Sequence, residues 1–400
     1  MALFASAILP RETPAREIGP KSSLCDEIKS LSPGDELVLQ PGDYQGGCTV
    51  YRGGSPGRPI VIRAQNLQVR PRILYKGESQ NALNIRAGHV VIRGLEFGPT
   101  RYNVDGIRIY GGSHITVEDC KFSEMGGIAV VANHASVRGV IVRRNIIVNS
   151  TATAMYFGCH NGLACTVSDL LVERNYIHGV EAPERAIGYG IQVKLNSTAV
   201  LRDNIIIDTK GPGIMVYGAQ DRAAVNVVER NFTAGSRTSS GIVIAGGPAV
   251  VRNNVAVSNA EAGISLEDYA RRRLLKGIAV VHNTVYDNGK GGILVSESNL
   301  LDAAIINNAV HARAGTRAFA PDQPGMRLWG NVDCSWIPCF ADPASRNFSP
   351  LAGSPLFSES ESVQEGQLPI DDFFGKRRQV PPTIGAIDDS HGPIAVGIKQ

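Results

Sequence analysis

The chain has 400 residues, 43% of them hydrophobic and 19% charged, with 40 Lys and Arg against 37 Asp and Glu and a formal net charge of +3. That length holds two or three average domains or one large solenoid, and the composition excludes a disordered chain. A near balance of charge without a basic stripe argues against a nucleic-acid partner, and no apolar run approaches the ~18 residues of a membrane span. Glycine is abundant at 44 residues, and aromatics are few at 6%. Rich also in Val, Ile and Asn, the chain reads as many short strands joined by turns.

Residues 1–20 begin with the apolar run Met1 to Pro10, which lacks a basic flank. It reads either as the remnant of a secretory signal or as an N-terminal arm. Leu24 to Leu31 then predicts a short helix that caps the open end of a core, followed by the strand-like segments Leu37-Val38-Leu39 and Asp43-Tyr44. The seven cysteines fall into three local pairs, Cys25 with Cys48, Cys159 with Cys165 and Cys334 with Cys339, and leave Cys120 over. That pattern suits an oxidising, secreted or periplasmic compartment. No pair has the spacing of a zinc site.

From residue 106 onward two motifs recur. One is a small residue followed by apolar-x-apolar, as in Gly106-Ile107-Arg108-Ile109, Gly127-Ile128-Ala129-Val130, Gly190-Ile191-Gln192-Val193, Gly213-Ile214-Met215-Val216 and Gly241-Ile242-Val243-Ile244. The other is an Asn just after a Val- or Ile-rich strand: Asn145, Asn175, Asn204, Asn231, Asn254, Asn283 and Asn308, spaced by 30, 29, 27, 23, 29 and 25 residues, with Cys120 in the preceding slot. Repeats of this length cannot bury an apolar face alone, but coil stacked on coil buries a continuous core. Each coil then pairs with the next as parallel strands ~4.8 Å apart. The repeated Asn fits an internal ladder of side-chain amides. The expected fold is all-β, a parallel β-helix of roughly ten coils over residues 21–315 with an N-terminal cap. An irregular C-terminal tail, residues 316–400, packs on it.

The segments 33–65 (PGDELVLQPGDYQG…PGRPIVIRAQ), Asn175 to Gly218, and 372–387 (DFFGKRRQVPPTIGAI) resemble the secreted right-handed parallel β-helix superfamily, in particular polysaccharide lyases of the alginate lyase and chondroitinase B type. The resemblance implies a lyase that cleaves an acidic, uronate-containing extracellular polysaccharide by β-elimination, with a Lys ending one central strand and a catalytic partner ending the next. Relatives of the alginate lyase type also carry calcium-binding acidic residues just before that Lys. This chain has Gly188, Tyr189, Gly190 and Gln192 there, so the calcium ligands are not matched. Where those relatives carry an Arg in the next coil, this chain has Tyr217.

Strand alternation selects the outward positions of each repeat. One column reads Arg108, Ala129, Tyr156, Gln192, Met215, Val243, Ser265, Leu294; the other reads Tyr110, Val131, Gly158, Lys194, Tyr217, Ala245, Glu267, Ser296. Lys194 and Tyr217 are therefore expected on adjoining rungs of an open groove that suits an acidic polysaccharide. A uronate lyase needs a group to neutralise the carboxylate, a base for the C5 proton and an acid for the leaving oxygen. Lys194 is the candidate base or carboxylate neutraliser, and Tyr217 the acid or combined acid and base. His178, beside the long loop 179–188, is a third catalytic candidate, although its repeat slot is also that of a stacking residue. Arg108, Tyr110, Tyr156, His160, Arg185 and Gln192 are the expected substrate contacts, with Glu267 in an outer subsite. His89, His114, His282 and His391 read as structural and unclustered, and Cys120 as a buried ladder residue. A glycoside hydrolase on this scaffold needs two nearby carboxylates, which only Glu181 and Glu184 offer. A C5-epimerase shares the proton chemistry, and an adhesive β-helix is the non-catalytic alternative. A monomer is expected.

Overall fold

The structure is a computed structural model that describes residues 15–219, 224–295, 300–364 and 366–397. Its strands form three long parallel sheets of 13, 12 and 11 strands, so the solenoid has about twelve turns rather than ten. One coil shows the plan. Leu170–Glu173 lies in the 13-stranded sheet, Tyr176–Val180 in the 12-stranded sheet and Ile191–Val193 in the 11-stranded sheet. Each strand pairs in register with its counterparts one coil before and one coil after. Alternation sends Ile191 and Val193 into a dry interior shared with Ile147, Phe157, Val172 and Ile177. Such a core exists only by stacking, because no single coil closes around its own apolar residues.

The corner between the 13- and 12-stranded sheets holds the Asn ladder. Each Nδ2 donates to Oδ1 of the next Asn at 2.8–3.0 Å, from Asn145 through Asn175, Asn204, Asn231, Asn254, Asn283 and Asn308 to Asn331. Each Oδ1 also accepts a backbone N–H of the preceding coil, as Asn204 does from Asn175 at 3.1 Å. Cys120 starts the row, its N–H donating to Asn145 Oδ1 at 3.0 Å. Burial pushes its thiol up to about 12, so it is an inert filler. The residue before each ladder member has a left-handed backbone, φ between 51° and 57° at Asp119, Arg144, Arg174, Asp203, Arg230, Asn253, His282 and Asn307.

The N-terminal cap is the helix Leu24–Lys29, shorter than the expected span. Ser23 caps it by accepting the Asp26 N–H, and Leu24 and Ile28 point into the core. Cys25–Cys48 ties this helix to the first coils, and Cys159–Cys165 and Cys334–Cys339 close the two short loops. Cys120 is the one free thiol among the described residues. Pairing starts earlier and ends later than the repeat motif implies. Arg16–Ile18 already pairs with Glu36–Leu39, and Arg317–Phe319, Met326–Trp329 and Val332–Asp333 still continue the three sheets beyond residue 315. Residues 1–14, most of the proposed signal remnant or arm, lie outside the described residues.

The tail packs along the solenoid. Phe348, Leu356, Ile384 and Ile394 cover Phe232, Val255 and Ala309 on the outside of the 12-stranded sheet. Arg378 Nη2 donates to Asn253 Oδ1 at 2.6 Å, and Arg230 pairs with Asp371 at 3.1 Å, which locks the tail to the ladder corner.

Candidate active site

The third corner, where the chain leaves the 11-stranded sheet, carries the unequal side chains. Lys194 N–H donates to Phe157 O at 2.8 Å and Tyr217 N–H to Val193 O at 3.0 Å, so the two residues extend adjoining rungs by one position each. Both side chains leave the strand away from the core, as alternation requires. They do not face open solvent, however: Lys194 is 3% exposed and Tyr217 2%. Tyr189, Leu195, Met215, Tyr217, Val243 and Ala245 form a small apolar cluster of their own outside the barrel, closed by Leu274. Tyr269 meets Tyr217 edge to face, with ring centroids 4.9 Å apart. Alternation tells which side of a sheet a side chain leaves on. It says nothing of a loop two coils away that folds back over it.

Lys194 Nζ sits 3.9 Å from the centre of the Tyr217 ring and 5.7 Å from that of Tyr156. Among the described residues it makes no hydrogen bond or ion pair, so the ring faces are its electrostatic support. Burial first, and the nearby charge of Arg272 second, lower its pKa from 10.5 to about 8. A substantial neutral fraction at mildly alkaline pH is what a general base requires. The Tyr217 hydroxyl lies 3.1 Å from that of Tyr189 and accepts from Gln192 Nε2 at 3.2 Å. Burial raises the Tyr217 pKa, which keeps the phenol protonated and suits a proton donor. Burial likewise pushes Tyr156 up to about 12 and raises Tyr189. Two rings, Tyr217 and Tyr156, thus face the amine, and Tyr189 and Tyr269 support Tyr217.

The other expected residues divide. Tyr156 and Gln192 are in register on neighbouring rungs and belong to the cluster. Glu267, three coils from Lys194 in the same column, accepts from Ser265 Oγ at 2.6 Å. Tyr110 lies three coils on the other side, with the Arg86 and Arg108 guanidinium carbons 4.4 and 5.6 Å from its ring centre and His134 edge-on at 5.0 Å. Arg108 is engaged by Asp105 at 2.8 Å and Asn133 Oδ1 at 2.8 Å. His160 and Arg185 are exposed loop residues.

His178 is not brought to this corner. It sits on the 12-stranded sheet, paired with Val148 and Ile207 and stacked on Tyr176 at 6.3 Å. The expected columns also need one correction. Arg108 pairs with Val131, not Ala129, and Val131 with Tyr156, so Asn133 rather than Val131 follows Tyr110 in the outer column. Gly127-Ile128-Ala129-Val130 and Ala129-Val130-Val131-Ala132 both satisfy the motif, and a two-residue slip preserves which side chains face in. The Asp105 carboxylate selects the second by accepting the Ile128 N–H at 2.8 Å, which uses Ile128 as a turn residue. Ser296, the end of that column, lies outside the described residues. His89 and His114 are not unclustered, since their rings stack at 4.9 Å.

The residues at the calcium-site positions do not fit that ion. Gly188 and Gly190 have no side chain to offer, and Tyr189 and Gln192 turn their polar atoms to Tyr217. Among the described residues no three His, Cys, Asp or Glu side chains converge on a metal site. For hydrolysis, Glu181 is paired with Arg237 at 2.8 Å. The loop around it is organised by Lys210, whose ammonium donates to the carbonyls of Ala182, Pro183, Glu184 and Ala186 at 2.6–3.3 Å. Sequence reasoning missed Tyr189 as a hydrogen-bond partner, and missed Tyr269 and Arg272 altogether. The signal for the last two was the triplet Arg271-Arg272-Arg273 shortly past the strand end at Leu266.

The family model described as "Right handed beta helix region" matches residues 105–310. Among solved structures, XylC in complex with xylose aligns with TM-score 0.61 and 10% identity over 94% of this chain and 97% of its own. Pectate lyase Pel9A aligns with TM-score 0.56 and 15% identity over 94% and 97%. A PL6-family polysaccharide lyase of Pseudopedobacter saltans aligns with TM-score 0.52 and 19% identity over 89% and 100%. No curated protein matches the chain in sequence. At these identities the structural likeness establishes the fold alone.

Proposed function

The chain belongs to the right-handed β-helix family, and on that footing we propose that it is a polysaccharide lyase acting on an acidic, uronate-containing polymer. The observation that carries this reading is the pairing of a desolvated amine, Lys194, with a protonated phenol, Tyr217, on adjoining rungs. The neutral amine takes the proton from the carbon next to the sugar carboxylate. The electron pair forms a double bond to the neighbouring carbon as that carbon's bond to the glycosidic oxygen breaks. The Tyr217 hydroxyl, held by Gln192 and Tyr189, gives its proton to the departing oxygen. Tyr156 offers a ring face beside the amine, and Tyr110 and Glu267 mark more distant positions along the same corner. Polysaccharide lyases among the similar folds support the substrate class. Three disulfides support an oxidising location. No helix among the described residues is long and apolar enough to cross a membrane.

A panel of acidic polysaccharides, followed by the ultraviolet absorbance of the unsaturated product, tests the reading. Lys194→Ala and Tyr217→Phe are each expected to lower that signal by orders of magnitude. Normal turnover in either variant removes that residue from the chemistry. New reducing ends without absorbance would point to hydrolysis, and binding without either product to an adhesive role.

A further inference from the structure

A Lys194 that must be neutral to take a proton cannot also neutralise the substrate carboxylate at that moment, so a second cation is required. The cations expected from the sequence do not fill this role. Arg108 is bound to Asp105 and Asn133, Arg185 and His160 are exposed loop residues, and Lys210, which clasps the long loop from the next coil, is enclosed by four carbonyls. We propose that Arg272, carried on the flap Tyr269–Arg273, receives the carboxylate of the reacting uronate; this deepens the lyase reading and rests on it.

Three observations support the assignment. Arg272 is half-buried, makes no ion pair among the described residues, and places its guanidinium carbon 5.2 Å from the centre of the Tyr269 ring. That ring stands edge-on to Tyr217, whose face holds Lys194, so a chain of ring contacts joins Arg272 to the amine. The charge of Arg272 adds to burial, the larger cause, in lowering the pKa of Lys194. Arg271 and Arg273 flank it, exposed and likewise without ion pairs among the described residues, and give the flap a cationic outer face. Glu267 and Asp268 are the acidic groups at its root, with Ser265 Oγ bonded to the first.

The flap is also built to move. Between Asp268 and Leu274 the described bonds of its backbone N–H groups run to its own root: Tyr269 N–H to Glu267 O at 2.8 Å, Arg271 N–H to Asp268 O at 3.1 Å and Arg273 N–H to Asp268 Oδ1 at 2.8 Å. The anchor to the solenoid is Leu274 O, which accepts from Gly247 N–H at 2.8 Å. Ala270, Arg271 and Arg273 all hold left-handed φ of 54–57°, conformations that non-glycine residues adopt under constraint. The Tyr269–Tyr217 ring contact is therefore the main latch. A polyanion drawn to the arginines exchanges that latch for a carboxylate–guanidinium pair and uncovers the amine.

Binding of short oligogalacturonate and oligoalginate, each beside its carboxyl-reduced counterpart, is measured by calorimetry in full-length protein carrying Lys194→Ala, so that the sugar is not consumed. Adding Arg272→Gln is expected to weaken the acidic oligomer that binds by about tenfold or more, and Arg272→Lys to restore part of the loss. The carboxyl-reduced oligomers are expected to be indifferent to both changes. In otherwise native protein, Arg272→Gln should also move the alkaline-rising limb of elimination to higher pH, because Lys194 loses its repelling neighbour. Unchanged acidic binding, equal loss for the neutral oligomers, or no acidic binding at all overturns the proposal. If Arg272→Gln abolishes binding while the native protein eliminates nothing, the flap assignment stands and the lyase reading falls. If elimination is untouched by Arg272→Gln, the lyase reading stands and the flap assignment falls.

Discussion

Two corners of the same coils follow opposite rules. At the ladder corner one residue type repeats, every amide is paired above and below, and the tail seals the outside. At the corner after the 11-stranded sheet the column runs Arg86, Tyr110, Asn133, Gly158, Lys194, Tyr217, Ala245, Glu267, with no residue type repeated in succession. Its central amine has no hydrogen-bond partner among the described residues. Uniformity at the first corner holds register for the whole solenoid. The second is thereby freed to carry groups that each weaken their own coil. A solenoid can separate the two tasks because both corners are set by the same strands yet share no side chain.

The largest effect is expected from breaking the uniform corner. Asn204→Ala deletes its bonds to Asn231 and Val172 O and strands the Asn175 groups that it accepts. Chemical denaturation should show a loss of about 2–4 kcal/mol, although no atom of the candidate site changes. A smaller, pH-dependent effect is expected from His282, buried in the same corner. It lies 3.1 Å from Thr383 O and 3.2 Å from Asn307 Nδ2. Burial first, and Arg378 second, lower its pKa from 6.5 to about 3. The unfolded chain therefore binds the extra proton between those values, and stability falls as pH drops through that window. Thermal melts of His282→Gln should lose part of this acid dependence, and identical profiles would refute it.

The irregular corner should respond to pH with the same sign in a higher window, and to substitution with the opposite sign. Lys194 is charged in the unfolded chain up to about 10.5 but only to about 8 when folded, so stability rises with pH between those values. Below pH 8 the buried charge is a liability, and Lys194→Met should stabilise the fold by about 1–3 kcal/mol while abolishing turnover. A destabilised Lys194→Met variant would mean that the ring faces more than offset desolvation. The smallest change returns to the ladder corner. Arg174 is exposed at φ 55° with no side-chain bond among the described residues. Arg174→Gly should raise the melting point slightly, by an amount equivalent to at most about 1 kcal/mol.

The same contrast explains what could be read from the sequence. The ladder and three-sheet plan were legible because every coil restates them, from Asn145 to Asn308. The disulfides were legible because their partners are near in the chain or share the cap. The amine and phenol were legible because Gly190 and Gly213 open identical motifs. The slip at Gly127-Ile128-Ala129-Val130 was not, since moving by two residues leaves the in-out pattern intact and only Asp105 decides. Nor was the roof, because Tyr269 and Leu274 come back to the Tyr217 cluster from a loop whose one mark, the triplet Arg271-Arg272-Arg273, does not say which coil it covers. His178 went astray for a related reason: its slot belongs to the 12-stranded sheet, and proximity to a long loop did not move it around the corner.

The left-handed residue before each ladder Asn makes every coil begin and end in the same backbone geometry, whatever lies between. Asp203 and Arg230 are two such joints, and the ladder residues behind them are 27 positions apart. Excising 204–230 would join Asp203 to Asn231 with matching dihedral angles, and the shortened chain could close over the gap as a zipper does when one tooth is removed. Lys194 would then have Ala245, not Tyr217, as its upper neighbour. The protein can in this sense be edited by whole storeys, and its chemistry exchanged without redesigning the walls.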